Sequence, residues 1–299
     1  VDGRPGGESM KKFLCTLLAL SLAAGLGGCS AVKKLLPSNA PAQAGPASSA
    51  ASSQQQQQPN SPSLGVRKRP QTDVDVAEAL NYERSQNPDT VAWLRIPDTD
   101  VNDSVLQGMD NVEYLRRTER KKEDVYGCYF ADYTNSIGPR TRLSPNTVIY
   151  GHSDLKDNPD GPRFSQLFKF TDPEFAASHP YIELTVLGET MQWEIFAVFY
   201  PHVSLDYIKT NLSGDELTAL AQEAVNQSIY DYGVTVRPDD KILTLSTCTI
   251  KYGEGDTQHR FVVMGRLLPK DSPLAEQVTI KQKDGAQAAV SAPEPQTEG

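Results

Sequence analysis

Cys248 closes the pentapeptide Thr244-Leu-Ser-Thr-Cys248, at the end of a strand-like apolar run that begins at Lys241. Twelve residues on, Arg260-Phe-Val-Val opens a second such run. A thiolate is a strong nucleophile, but a free cysteine with a pKa of about 8.5 is mostly thiol at neutral pH and needs help to ionise. A guanidinium at the facing end of a neighbouring strand can donate charge-assisted hydrogen bonds to the oxyanion formed when a thiolate attacks an amide carbonyl. Arginine suits this better than lysine, because its charge survives partial burial and its donors form a fixed fork. The pair lacks an acid or base. Thr147-Val-Ile-Tyr-Gly-His152 supplies one, again at the end of a β-rich run, and His152 can protonate the departing amine.

Other residues of the same types have plainer readings. Cys128 sits in Tyr126-Gly-Cys-Tyr-Phe-Ala, a strand-like run in which a buried, inert thiol is expected. His179 and His202 read as structural or surface histidines. His259 competes with His152 because it adjoins Arg260, but neighbours in an extended strand point to opposite faces. Arg266 shares the parity of Arg260 but lies too far along the run. No paired Cys or His stands at ligand spacing, so neither a metal nor another cofactor is expected. Ser246 and Thr247 are candidates for lining a substrate groove beside the nucleophile.

The elements that must position these residues fall between Asp73 and Lys270, near 200 residues and enough for one core. A helix is expected from Asp73. Strands are expected at 91–96, 101–106, 127–132, 147–150, 181–187, 191–200, 241–246 and 261–268, those at 181–187 and 191–200 forming a hairpin through Gly188-Glu-Thr. Short helices are expected at 163–170 and 173–178. A longer one is expected from Asp215 to about Ile229, where Ser213-Gly-Asp-Glu216 reads as a capping box and Leu217, Leu220, Ala221, Ala224 and Val225 share a face. The sum is a mainly β fold: a closed or nearly closed barrel of about eight strands, with an N-terminal helix and inserted helices.

The ends of the chain have a different composition. Residues 1–9 precede a better start at Met10 and read as an over-extended gene start or a cloning remnant. Met10-Lys-Lys and the apolar run from Phe13 have the layout of a secretory signal over residues 10–28. That run ends in Leu26-Gly-Gly-Cys29, which resembles a bacterial lipobox and makes Cys29 the candidate for lipidation. Residues 29–72 are rich in Ala, Pro, Ser and Gln and cannot bury enough surface to offset their ordering entropy. As a flexible tether they would span roughly 35–40 Å root-mean-square. Residues 271–299 are expected to be a disordered tail. The 299 residues carry a formal net charge of -9, which disfavours nucleic acid as a partner.

Taken together, His152 in Val-Ile-Tyr-Gly-His, Cys248 in Thr-Leu-Ser-Thr-Cys and Arg260 in Arg-Phe-Val-Val-Met-Gly-Arg-Leu resemble the sortase family, and more closely its class B. Asn87-Pro-Asp-Thr-Val-Ala-Trp-Leu-Arg-Ile-Pro, Asp110-Asn-Val-Glu-Tyr-Leu and the capped helix before the cysteine strand add to the likeness, which covers nearly all of 73–270. It implies a sortase-type barrel and a transpeptidase with Cys248, His152 and Arg260 as catalytic residues. Such an enzyme cleaves a sorting motif after Thr, holds the acyl group as a thioester and passes it to a cell-wall peptidoglycan amine. Class B implies Asn-Pro-x-Thr-like motifs on the client surface proteins. With the lipid anchor, this places the catalytic domain at the outer face of the cytoplasmic membrane of a Gram-positive-type bacterium. One departure stands out. Some class B enzymes carry an acidic residue just after the cysteine, whereas Thr249 and Ile250 follow here, so no carboxylate partner is assigned. The competing readings are a thiol endopeptidase on another fold and a lipoprotein binding module that keeps the barrel without the activity. Papain-like enzymes place their cysteine before their histidine, the reverse of this chain.

Overall fold

The structure, a computed structural model, describes residues 73–284. The expected signal peptide, Cys29, the tether and residues 285–299 of the expected tail lie outside these residues. Helix α1 (Asp73–Gln86) leads into strands β1 (Thr90–Arg95), β2 (Asn102–Leu106), β3 (Tyr129–Ala131), β4 (Asn146–Tyr150), β5 (Tyr181–Val186) and β6 (Glu189–Phe199). After α2 (Pro173–Ser178), which precedes β5, and α3 (Gly214–Gln227), which follows β6, come β7 (Tyr230–Asp231), β8 (Ile242–Cys248), β9 (Arg260–Leu267) and β10 (Lys281–Gln282).

Eight strands close a barrel in the order β1-β2-β3-β4-β8-β9-β6-β5, with β5 pairing back onto β1. β2–β3 and β4–β8 are the parallel pairs of the barrel; the other pairs described are antiparallel. The pleat sorts β8 and β9 into two faces. Leu243, Leu245, Phe261 and Val263 join the barrel core with Leu94, Val105, Ile149, Leu184 and Trp193. Ile242, Val262 and Met264 point outward into a second cluster, roofed by Leu217, Leu220, Ala221 and Ala224 of α3. The capping box forms as expected: Glu216 N–H donates to Ser213 Oγ, and Ser213 N–H donates to Glu216 Oε2. It satisfies two backbone donors that would otherwise be orphaned at the helix start.

Three expectations change in detail. The 127–132 strand shrinks to Tyr129–Ala131, because Gly127 turns at φ +54°, where a Cβ would meet the Tyr114 carbonyl oxygen at 2.5 Å. The hairpin turn is tighter than Gly188-Glu-Thr: Val186 already pairs with Glu189, which leaves Leu187 and a left-handed Gly188 as the turn. The segment expected as a helix from Arg163 is a 3-10 helix, Arg163–Thr171, with Phe164, Leu167, Phe168 and Phe170 buried in the barrel core.

Part of the expected disordered tail also has a defined path. Val278 N–H donates to the Ala177 carbonyl, and β10 pairs with β7. Val278 and Ile280 pack against the core, which is the apolar anchorage that composition alone had hidden.

Candidate active site

Cys248 is the last residue of β8, and its antiparallel partner across to β9 is Arg260, the first residue of that strand. Directly paired residues point to the same face of a sheet, so the thiol and the guanidinium share the outer face. The apolar roof ends before this point. Ile242 and Thr244 are buried, whereas Cys248 is half-buried at the open end of the same row. Neither Cys248 nor Cys128 is in a disulfide. Cys128 is fully buried, and burial pushes its thiol far above the ordinary range, so it is an inert thiol as expected.

Arg260 is 2% exposed, among the largest side chains enclosed by the fold. Its Nη1 donates to the carbonyls of Thr257 at 3.1 Å and His259 at 2.7 Å, so its own loop aims it. The neighbouring Tyr150 donates its hydroxyl to Asp132 Oδ2 at 2.8 Å. Burial and Asp132 push that phenol well above its usual value, while the Arg260 charge pulls the other way.

His152 reaches the site through the parallel pair. Tyr150 of β4 is level with Ser246 of β8, and Gly151 N–H continues the ladder to the Ser246 carbonyl at 3.4 Å. His152 follows just past the end of this ladder, between Gly151 and Ser153, both of which bond β8. Ser153 Oγ–H donates to the Cys248 carbonyl at 2.8 Å and ties the two chain ends together. Gly151 is required for this approach: a Cβ there would lie 2.7 Å from the Phe164 ring and 3.0 Å from Tyr129.

The imidazole is 4% exposed, and its Nε2 lies 2.6 Å from the Leu115 carbonyl oxygen. A carbonyl can only accept, so Nε2 carries the proton and Nδ1 keeps its lone pair. Burial pushes the His152 pKa down to about 4, the Leu115 bond opposing and the Arg116 and Arg163 charges adding to the fall. His152 is therefore neutral at pH 7. It is not a pre-charged acid, and any proton it gives away in a reaction must first be taken up.

Leu115 lies in the 3-10 turn Glu113–Arg116, which a buried network holds in place. Tyr114 donates its hydroxyl to Asp89 Oδ2 at 2.6 Å and accepts from Asn87 Nδ2 at 2.9 Å; Asn87 Nδ2 also donates to the Glu119 carbonyl. Burial and the Asp89 carboxylate push the Tyr114 hydroxyl up to about 12. The Asn87-Pro-Asp stretch thus acts on the site through the backbone that orients His152. A cleft of about 810 Å³ opens along this turn, lined by Val112, Leu115, Arg116, Asp124 and Val125 among others.

The other candidates separate clearly. Ser246 is buried, with its Oγ 3.0 Å from the Tyr207 hydroxyl. Thr247 is buried too and is level with Phe261, a barrel-core residue, so the pleat turns it away from Cys248. Both are enclosed, Ser246 on the Cys248 face of β8 and Thr247 on the core face. His259 pairs its Nδ1 with Asp256 Oδ2 at 2.6 Å and stands against His202, off the Arg260 face. His179 stacks on Phe175 and bonds Asp98, and Arg266 pairs with Glu194. Sequence reasoning missed the Leu115 carbonyl, Ser153 and Asp157. Asp157 accepts from Thr249 and Ile250 just past the cysteine. The only signal for the last two was their place in the loop that starts at His152.

Residues 94–268 match the sortase domain family. The chain is 33% identical over 199 residues to sortase B of Listeria monocytogenes serovar 1/2a, covering 66% of this chain and 76% of that protein. It also superposes on a Staphylococcus aureus sortase B-substrate complex with a TM-score of 0.57 and 26% identity, over 66% of this chain and 87% of that one. A crystal structure of sortase B complexed with Gly3 gives a TM-score of 0.56 and 27% identity, over 66% of this chain and 88% of that one.

Proposed function

The chain belongs to the sortase family and is a cysteine transpeptidase of class B, and on that premise we propose that Cys248, His152 and Arg260 carry the reaction. The observation that bears most weight is the strand pairing: Cys248 directly opposite Arg260 on one side, and tied through its carbonyl to Ser153, the residue after His152, on the other. His152 Nδ1 takes the thiol proton as sulfur attacks the scissile carbonyl carbon. The Arg260 guanidinium stabilises the oxyanion that forms. As the C–N bond breaks, the imidazolium passes its proton to the departing amine, leaving a thioester on Cys248. An incoming amine attacks the thioester, gives a proton to His152 and displaces the thiolate, which is then re-protonated. The neutral resting imidazole suits this sequence, because it can accept before it donates.

The substrate we infer is a surface protein with an Asn-Pro-x-Thr-like sorting motif, cleaved after Thr, and the acceptor is a peptidoglycan amine. Support comes from the relatives, one solved with its substrate and another with Gly3. The signal-like segment, Cys29 and the tether support a further part of this reading, a lipid-anchored catalytic domain at the outer face of the cytoplasmic membrane of a Gram-positive-type cell. Mass spectrometry of the enzyme with sorting-motif peptides tests the chemistry. A thioester adduct should map to Cys248, vanish in Cys248→Ala and form about 10²–10³-fold more slowly in Arg260→Ala. Absence of any adduct or turnover across motifs would leave a binding module. Peptide hydrolysis without transfer to triglycine or a stem-peptide amine would leave an endopeptidase.

A further inference from the structure

Five residues past His152, Asp157 turns back onto the chain that leaves the nucleophile. Its Oδ2 accepts the Thr249 hydroxyl at 2.5 Å, and both carboxylate oxygens accept the Ile250 backbone N–H at 3.1 Å. With Ser153 on the Cys248 carbonyl, one loop holds three consecutive residues, 248, 249 and 250, and that same loop begins at His152. The loop is braced in turn. Asp154 Oδ1 accepts the N–H groups of Lys156 and Asn158, Asp154 N–H donates to Ser165 Oγ, and Phe164 N–H donates to the His152 carbonyl. Asp157 adopts φ +51°, a left-handed conformation that is uncommon for a residue with a Cβ. Its bonds to 249 and 250 offset that strain.

We propose that Asp157 is a positioning residue for the transpeptidase reaction, clamping Thr249 and Ile250 so that the Cys248 thiol leaves β8 in a fixed direction relative to His152. The inference rests on Cys248 being the nucleophile. It also accounts for the absence of an acidic residue directly after the cysteine: the carboxylate comes from the histidine loop instead, and it acts on the backbone and on Thr249. Charge activation of sulfur is not its role, since a carboxylate near a thiol opposes ionisation. Burial raises its own pKa, and the donors from Thr249 and Ile250 oppose that rise. Clamping both catalytic chain segments from one loop removes freedom that would otherwise misalign thiol and imidazole, and misplacement by about 1 Å can cost on the order of a hundredfold in rate.

The test uses the whole enzyme, a sorting-motif peptide and an amine acceptor. In Asp157→Ala, kcat should fall about ten- to a hundredfold while KM stays within about twofold. Asp157→Asn, which keeps one acceptor oxygen, should recover part of the loss. Iodoacetamide should alkylate Cys248 in Asp157→Ala at least as fast as in the wild type, because the thiol is freed and not disarmed. Thr249→Val keeps the carboxylate and removes only the hydroxyl; it should show the same kcat-only pattern more weakly, and it carries the test if Asp157→Ala does not fold. Wild-type kcat in the variants overturns the proposal, as does a loss confined to KM or an alkylation rate that falls in step with turnover. Turnover by the wild-type enzyme and its loss in Cys248→Ala report on the underlying reading separately.

Discussion

The buried neutral imidazole should make the protein sensitive to acid in a way that one substitution removes. In the native state His152 is held down to about 4 by burial, against an ordinary 6.5 in the unfolded chain. The unfolded chain therefore binds a proton in a range where the folded one does not. The depressed group contributes its full stability above pH 6.5 and loses it as pH falls through 6.5 towards 4. At 1.36 kcal/mol per tenfold step, the loss amounts to roughly 3 kcal/mol by pH 4. That is a large share of a typical stability of about 5–15 kcal/mol. His152→Gln removes the titration while its side-chain amide can still donate to the Leu115 carbonyl. Urea unfolding at a series of pH values from 7.5 to 4, about half a unit apart, should show the wild type losing this increment relative to the variant. Direct NMR titration of the imidazole should place its midpoint near 4. Parallel acid profiles for the two proteins, or a midpoint near 6.5, would refute both the burial argument and the neutral resting state of the relay.

Two further outcomes are expected. Gly151→Ala drives a methyl to 2.7 Å from the buried Phe164 ring, so it should cost about 1–3 kcal/mol in urea unfolding and lower turnover by displacing His152; unchanged stability would show that the ring can yield. Cys29→Ala should release the protein from the membrane fraction of producing cells, and unchanged retention would rule out the lipid anchor.

The longer barrel strands were legible because they carry apolar rows bounded by turn residues, as in Ile242–Cys248 and Arg260–Leu267. Cys248, His152 and Arg260 were legible as residue types at strand ends, and the structure draws their chain segments together. What escaped was of three kinds. Two-residue strands such as Tyr230–Asp231 and Lys281–Gln282 are too short to show a period. The Leu115 carbonyl that orients His152 is backbone, and nothing in a side-chain pattern announces it. Asp157 lies in a polar loop full of Asp and Asn, where only the fold brings one of those carboxylates to Thr249. At Thr247 adjacency in sequence and orientation in space part, because the pleat of β8 turns it to the face opposite Cys248.

The parallel pairing of β4 with β8 also bears on when the chain becomes reactive. Ser153 and Cys248, tied by a single hydrogen bond, are 95 residues apart. Closing a loop of that length costs roughly 4 kcal/mol of chain entropy before any local contact returns it. No stretch of this chain assembles the relay from neighbours alone. A polypeptide still emerging, stretched or half-folded carries an ordinary thiol, an ordinary imidazole and an arginine in water. Reactivity is thus a property of the closed barrel, and an unfinished molecule is chemically quiet toward the proteins around it.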